Sequence, residues 1–360
     1  MTQYGALAAS SRTRVFDYLP HLQRAGHVCQ VITILPDDRI GGSQIIVTRQ
    51  VLRKLLYYVW AFFRTVKCGI RVVLSGRHSD LIFVQKTIFP AAVRYLLRAV
   101  NTPLVYDFDD AIFTTEVRQK NWLAARKQER NARGVPAMLR LAQLALVENE
   151  YTADFARTYC RRVERITGPI DTQRYAPDFS RSNSGVVVLG WIGSASTLSY
   201  MEEIRPALEE VGRQFDNVCL HIVGATGFAL DGMRVETKPW GLDSEVEDLR
   251  CFDIGIMPMP DDAWTRGKGG YKLLQYMSVG LPVITSPVGI NCQIVDDGND
   301  GFWAREPSEW VEHIATLVCD AALRRRMGDL GRKKMEAVYA LEQAQDRLLK
   351  LLRETAERRS

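Results

Sequence analysis

The feature that most limits the fold is a series of short apolar runs that do not alternate with polar residues, spaced by stretches of helical periodicity. The first group is VCQVITIL (29–36), LIFVQ (81–85), LVYDF (104–108) and ALVEN (145–149). The second is VVVLGWIG (186–193), CLHIVG (219–224), MRVET (233–237), FDIGIMPM (252–259) and PVITS (282–286). Strands of this kind are buried on both faces, which requires a parallel sheet with helices on either side. Between the groups, GPIDTQRYAPDFSRSNSG (168–185) is rich in Gly, Pro, Ser and Asn and has no period, so it reads as a linker. The pattern predicts an α/β chain of two doubly wound domains. The first covers 1–170, the linker 171–185 and the second 186–340, with a closing helix over 341–360. At about 150 residues per domain, 360 residues agree with two. Helices are predicted at Arg12–Ala25, 196–213, 242–250, 270–279 and 307–318, and through a charged tail from 320 to 356. The opening strand is MTQY alone, or is missing. In such sheets ligands bind beyond the carboxyl ends of the strands.

Composition narrows the function classes. With 46% hydrophobic and 25% charged residues the chain is neither disordered nor collagenous nor a small disulfide scaffold. Its seven Cys form no C-x-x-C pair, which predicts reduced, buried thiols in a cytoplasmic protein. The five His are not spaced with Cys as zinc ligands, so no metal site is expected. The N-terminal residues lack the apolar core of about 7–15 residues of a signal peptide, and no run is long enough to span a bilayer. Charge is divided unevenly: residues 1–179 hold 26 basic and 15 acidic residues, and residues 180–360 hold 21 and 27. A basic half joined to an acidic one suggests that the first half meets an anionic surface or substrate. Residues 49–98 carry ten Lys or Arg and one acid, Asp80, interleaved with Leu55, Trp60, Phe62 and Phe63. That stretch suits peripheral contact with the inner face of a cell membrane, or a long domain helix with a wet basic face. No nucleic-acid recognition module is visible.

Three glycine turns of the second half are candidates for a phosphate site. GWIGSAST (190–197) follows a strand and precedes a helix, so Gly193 and Ser194 offer backbone N–H groups. GATG (224–227) places Gly224 at the same edge. In TRGKGGYKLLQ (265–275), Arg266, Lys268 and Lys272 precede or open a helix, with Gly269 and Gly270 letting a ligand approach the backbone. Cations at a helix N-terminus are electrostatically awkward unless an anion lies between them, and a diphosphate would fit. Trp240 and Trp191 suit base stacking or a domain core. In the first half, Ser11 and Arg12 sit at a loop-to-helix junction, and Gln85 ends a strand. Asp107, Asp109 and Asp110 end another, suiting hydroxyl binding or a metal, or simply helix capping.

KLLQYMSVGLPVITSPVGINCQIV (272–295), GPIDTQRYAP (168–177), SSRTRVFDYLPHLQRAGH (10–27) and YDFDDAIF (106–113) together resemble the retaining glycosyltransferases of group 1, family 4. The resemblance covers nearly the whole chain. It implies the GT-B type of fold, two Rossmann-like domains facing across a cleft, with a C-terminal helix crossing back to the first. It implies a nucleotide-diphosphate sugar bound by the second domain and a hydroxyl acceptor bound by the first. Transfer would retain anomeric configuration without a metal or other cofactor. On this resemblance Asp110, Arg266, Lys268 and Lys272 are the catalytic candidates. Gly193, Ser194, Gly224, Trp240, Gly269, Gly270 and Gln275 would hold the donor. Ser11, Arg12, Gln85, Asp107 and Asp109 would lie on the acceptor side.

The chain departs from the family pattern in three places. The usual pair of Glu separated by seven residues is replaced by Gly267 and Gln275, so Asp261 or Asp262 would have to supply the sugar-facing acid. GWIGS lacks the Arg common after the first strand of the donor domain, and DLIFVQK offers Gln85 and Lys86 where a His is common. Surface-glycan or polysaccharide assembly on a lipid-linked acceptor is the expected setting. Glycosylation of a small natural product, a degenerate nucleotide-sugar-binding partner subunit and a sugar-nucleotide epimerase are the alternatives.

Overall fold

The structure is a computed structural model that describes residues 1–37, 51–114, 122–178 and 185–357. By its contacts the chain divides into two units. One comprises Met1–Gly168, Gly267–Gly269 and Ala344–Ser360, and the other Pro169–Arg266 and Gly270–Gln343. Each is built on parallel strands, as expected of two Rossmann-like domains of the GT-B type.

In the first unit, β1 (Thr2–Tyr4) pairs in parallel with β2 (Thr33–Leu35). A four-stranded parallel sheet follows: β3 (Ile82–Gln85), β4 (Leu104–Phe108), β5 (Leu144–Val147) and β6 (Val163–Arg165), in that order across the sheet. The opening strand is therefore present and three residues long. Of the β-rich run 29–36 only Thr33–Leu35 is strand, and Val28 is fully exposed. The helix predicted over Arg12–Ala25 is broken. α1 (Ala9–Arg14) and α2 (Leu19–Arg24) are separated by a single 3-10 turn, Phe16–Tyr18. Pro20 starts α2 because the first turn of a helix needs no proline N–H. α3 (Val51–Gly76), α4 (Ala91–Ala99) and α5 (Trp122–Leu139) lead into β3, β4 and β5. α6 (Glu150–Arg157) starts at a capping box made by Asn149 and Thr152. Tyr106, Phe108, Leu139 and Val147 are fully buried in the core of this unit.

The second unit carries a six-stranded parallel sheet. Its strands are β7 (Val187–Ile192), β8 (Val218–Val223), β9 (Arg234–Lys238), β10 (Ile254–Met257), β11 (Val283–Thr285) and β12 (Gly301–Trp303). They are ordered β12-β11-β10-β7-β8-β9. β7 and β10 are buried throughout, whereas β9 is an exposed edge. The unit's helices are α7 (Arg205–Gln214), α8 (Glu245–Arg250), α9 (Tyr271–Ser278), α10 (Asn291–Ile294), α11 (Pro307–Cys319) and α12 (Ala321–Lys334); α13 (Leu341–Glu357) follows and from Ala344 onward groups with the first unit. Met257 and Met259 are core residues.

Two strands, β6 and β12, were not predicted. Each is three residues long and none of their residues except Gly301 is buried, so neither carries an apolar run. The predicted linker is only partly one. Ile170 bridges Ala340, Tyr175 is buried, and Arg332 donates to the carbonyls of Thr172 and Tyr175, so the segment from Pro169 to Tyr175 packs within the second unit. Its residues 179–184 lie outside the described residues, as does the side chain of Leu55. Residues 344–360 group with the first unit, where Leu348 and Leu351 are buried and Arg162 pairs with Glu354. All seven Cys are free; Cys68, Cys160 and Cys219 are buried, whereas Cys251 and Cys319 are exposed.

Candidate functional site

In the first unit the parallel register brings charged residues to one sheet end. Gln85 lies opposite Asp107, and Asp107 opposite Leu146. The residues just beyond the strands, Lys86, Asp109, Asp110 and Glu148, therefore emerge side by side. They form two ionic groups. In one, Arg14 from α1 grips Asp107 and lies 3.5 Å from Glu148, with all three side chains under a tenth exposed. In the other, Lys86 Nζ is 2.8 Å from Asp109 Oδ1 and 2.5 Å from Asp110 Oδ2. Lys86 has φ +55, a left-handed backbone that a long side chain rarely adopts. Such strain persists only where the surroundings fix it.

Burial and charge work against each other here. Burial pushes the Glu148 carboxyl up to about 8, because Asp109, Asp110 and Asp107 add repulsion that Arg14 does not cancel. Burial also raises Asp107, against the pull of Arg14. Asp110 goes the other way: burial would raise it, but Lys86 and Lys268 hold it down at about 2. Lys268 belongs to this unit by its contacts, and its carbonyl accepts from Asn149 Nδ2 at 2.9 Å. A Cβ on Gly269 would strike the Glu148 carboxylate, so only glycine fits there.

The acceptor-side candidates are engaged with each other. Ser11 Oγ donates to Gln85 Oε1 at 3.2 Å, Gln85 Nε2 donates to Ser10 Oγ at 2.9 Å, and both Ser11 and Gln85 are fully buried. Arg12 donates to the carbonyls of Ala6 and Leu7 and tightens the loop after β1. Asp107 is held by Arg14. That leaves Asp109, Asp110, Lys86 and Glu148 nearest the open end of the sheet.

In the second unit the strand ends carry glycine, and neighbouring groups take the space a side chain would fill. Gly193 follows β7 and Gly224 follows β8. A Cβ on Gly193 would lie 2.6 Å from Lys272 Nζ. Gly224 has φ +93, and its Cβ would strike the carbonyl of Gly193. Lys272, in the first turn of α9, holds its ammonium 4.1 Å above the ring of buried Trp191. Gly270 caps α9 with φ +68. Gly193, Gly224, Trp240 and Lys272 are thus brought together: Trp240 Cβ would be 3.2 Å from a Cβ on Gly224.

The N–H groups behave differently from the prediction. That of Gly193 donates to Val223 O at 2.9 Å and that of Gly224 to Lys238 O at 2.8 Å, so the sheet uses both. Ser194 to Thr197 form a turn into a 3-10 helix, Leu198–Ile204, instead of an α-helix N-terminus. Ser194 Oγ is 2.8 Å from Ser196 Oγ at the surface. The Arg266–Lys268–Lys272 trio is divided, since Lys268 groups with the first unit. Arg266 forks onto Asp261 at 2.6 and 3.0 Å and holds that carboxyl below its ordinary range. Asp262 caps the turn at Trp264 and Thr265.

Gln275 is buried and donates to Tyr175 Oη at 3.4 Å. Tyr175 in turn donates to Glu245, which also accepts from Trp240 Nε1 at 2.5 Å. Burial, with Glu245 adding to it, raises the Tyr175 hydroxyl to about 12, so it stays a donor. The sequence reading missed Glu245, because it stands among other acids in LDSEVEDLR. Glu148 stands directly after an apolar run, which is the signal that could have marked it. Among the described residues no group of three or more His, Cys, Asp or Glu is arranged to hold a metal ion.

Residues 186–320 match the family model described as Glycosyl transferases group 1. Spore coat protein SA of Bacillus subtilis (strain 168) is 29% identical over 76 residues, 20% of either chain. The match thus spans about one fifth of that curated relative. Among solved structures, a glycosyltransferase from Rickettsia africae ESF-5 is similar with a TM-score of 0.68 at 11% identity, covering 98% of this chain and 97% of that one. Anabaena Alr3699/HepE in complex with UDP-glucose is similar with a TM-score of 0.63 at 14% identity, covering 98% and 99%. At such identities these structures establish the fold alone.

Proposed function

We propose that this chain, a member of the group 1 glycosyltransferases through residues 186–320, moves a sugar from a nucleoside-diphosphate sugar to a hydroxyl acceptor with retention at the anomeric carbon. One observation carries the reading: a fixed ammonium, Lys272, sits over Trp191 beside the glycine-bearing ends of β7 and β8. A cation held in place before the reaction stabilises the charge that develops on a departing diphosphate, without reorganising as it forms. The glycines let Lys272, Trp191 and the Gly193 carbonyl pack close against the strand ends, and Trp240, held by Glu245, offers a ring at the same edge. In the first unit, Asp110 is held ionised beside Lys86, which suits it to orient an acceptor hydroxyl. Glu148, raised to about 8, is placed to exchange a proton near neutral pH. Lys268 joins that group. No metal is assigned a role, because basic side chains supply the positive charge.

Lys272→Ala is expected to lower kcat by about 10²–10³-fold, the loss typical of one preorganised donor to a developing anion. Turnover should not respond to a chelator. Turnover equal to that of Lys350→Ala, an exposed lysine, would remove the assignment. A melting-temperature panel of nucleotide sugars would identify the donor.

A second reading is favoured by Gln275, a neutral amide tied to Tyr175 where the family commonly has an acid. It makes the chain a nucleotide-sugar-binding partner subunit. Donor binding without sugar release to any acceptor would select it. For the setting we favour surface-glycan assembly on a lipid-linked acceptor, with peripheral contact to an anionic membrane, over glycosylation of a small natural product. The basic first half supports this choice. Among the described residues no helix is long and apolar enough to cross a membrane, so contact would be through a surface.

A further inference from the structure

Helix α3 has two apolar faces, and the fold uses one. Cys68, Val72 and Val73 face the core, and a Cβ on Gly69 would meet Val93 of α4 at 2.7 Å, which fixes α4 against it. The opposite face presents Leu56, Val59, Trp60, Phe63, Ile70 and Leu74 at spacings of one and two turns, which places them on one stripe. Leu56 is 60% exposed, Phe63 65% and Leu74 55%. A surface helix ordinarily turns its polar side outward, so an outward apolar stripe marks an interaction surface. Lys67 stands within the stripe and Arg53 and Arg71 along its edge, all three exposed, and α3 contains no acid. Tyr95 of α4 is 76% exposed.

Beside it lies a groove of about 250 Å³ between α4 and the end of α5, lined by Arg94, Tyr95, Arg98 and Arg140 with three apolar residues and no carboxylate. Arg94 is fixed by a bond to the carbonyl of Phe89, and Arg140 by stacking 4.9 Å from the ring centre of Tyr159. None of the three arginines forms an ion pair among the described residues. Guanidinium groups gathered around one groove repel unless an anion lies between them, and their planar forks match a phosphate.

We infer that α3 and α4 dock on an anionic phospholipid surface, with the apolar stripe at the acyl boundary and a lipid phosphate held by Arg94, Arg98 and Arg140. The inference rests on the membrane contact of the reading above, not on its chemistry. Charge complementarity selects the occupant. A second copy of the same face would set cations against cations, whereas an anionic bilayer neutralises them.

The test is sedimentation of the full chain with vesicles of phosphatidylcholine, with and without phosphatidylglycerol. Binding to the anionic vesicles alone is expected. The triple variant Arg94→Gln, Arg98→Gln, Arg140→Gln should bind well over about 100-fold more weakly, since about 1 kcal/mol per basic residue near such a surface already gives that loss without a clamped phosphate. A charge-matched triple on α3, Arg53→Gln, Lys67→Gln, Arg71→Gln, should lose less, because those side chains attract without clamping a phosphate. Quenching of tryptophan fluorescence by brominated phosphatidylglycerol should fall in Trp60→Phe. Retained nucleotide-sugar binding reports that each variant is folded. Equal losses in the two triples, or an unchanged groove triple, overturn the groove. A wild-type chain that ignores both vesicles, dimerises through this face or binds an oligonucleotide instead overturns the membrane contact, and leaves the transferase reading untouched.

Discussion

The two units end their parallel sheets in opposite ways. In the first, the carboxyl ends of β3, β4 and β5 are packed with titratable groups that hold one another: Arg14 with Asp107 and beside Glu148, Lys86 with Asp109 and Asp110. In the second, the ends of β7 and β8 carry glycine, and Lys272 is held by an aromatic face beside them. Buried charges that satisfy each other make a rigid, highly specified surface, and removing one partner leaves the rest uncompensated. An end packed through glycine instead presents one oriented cation. The same architecture thus yields a charged platform in one unit and a receptive edge in the other.

The contrast is broken most severely at Arg14. Arg14→Met should destabilise the protein by about 3–5 kcal/mol, since Asp107 and Glu148 would stay buried without their cation. Urea unfolding would read this, and an unchanged midpoint would show that the platform does not depend on the pair. Next, Gly224→Ala places a side chain at φ +93 against the carbonyl of Gly193. A cost of about 1–3 kcal/mol is expected, together with weakened nucleotide-sugar affinity measured by calorimetry.

Glu148 sharpens the comparison through pH. Its folded value, about 8, lies above the ordinary 4.5, so its protonated form favours folding and that contribution is lost as pH rises through the interval between them. Glu148→Gln cannot titrate, so its melting temperature should fall less than that of the wild type from pH 5 to 8. Parallel curves would refute the raised value. The smallest effect is assigned to Asp261→Asn. Asp261 and Arg266 are both more than half exposed, so breaking their fork should change stability by no more than about 1 kcal/mol.

Much of the scaffold was readable from local pattern. LVYDF and VVVLGWIG are runs that only a doubly covered strand explains, and Leu104–Phe108 and Val187–Ile192 are strands. The three-residue strands Val163–Arg165 and Gly301–Trp303 were not readable, because pairing with a neighbour, not side-chain burial, holds them. Glycine at 193, 224, 269 and 270 was readable as room for close approach. What each glycine makes room for was not: the indole of Trp191 and Lys272 at one, the Glu148 carboxylate at another. Tyr175 stood in a stretch that reads as linker, yet it is buried against Glu245.

Residue order alone thus determined that the chain forms two parallel βα units, since uninterrupted apolar runs have few other places to go. It also determined which loops hold glycine and charge at the strand ends. Which charges are mutually neutralised was decided only in three dimensions. Arg14 is remote in sequence from Asp107 and Glu148, and Lys272 from Trp191, and an ion pair or a cation over a ring depends on a separation of a few ångströms that no local pattern encodes.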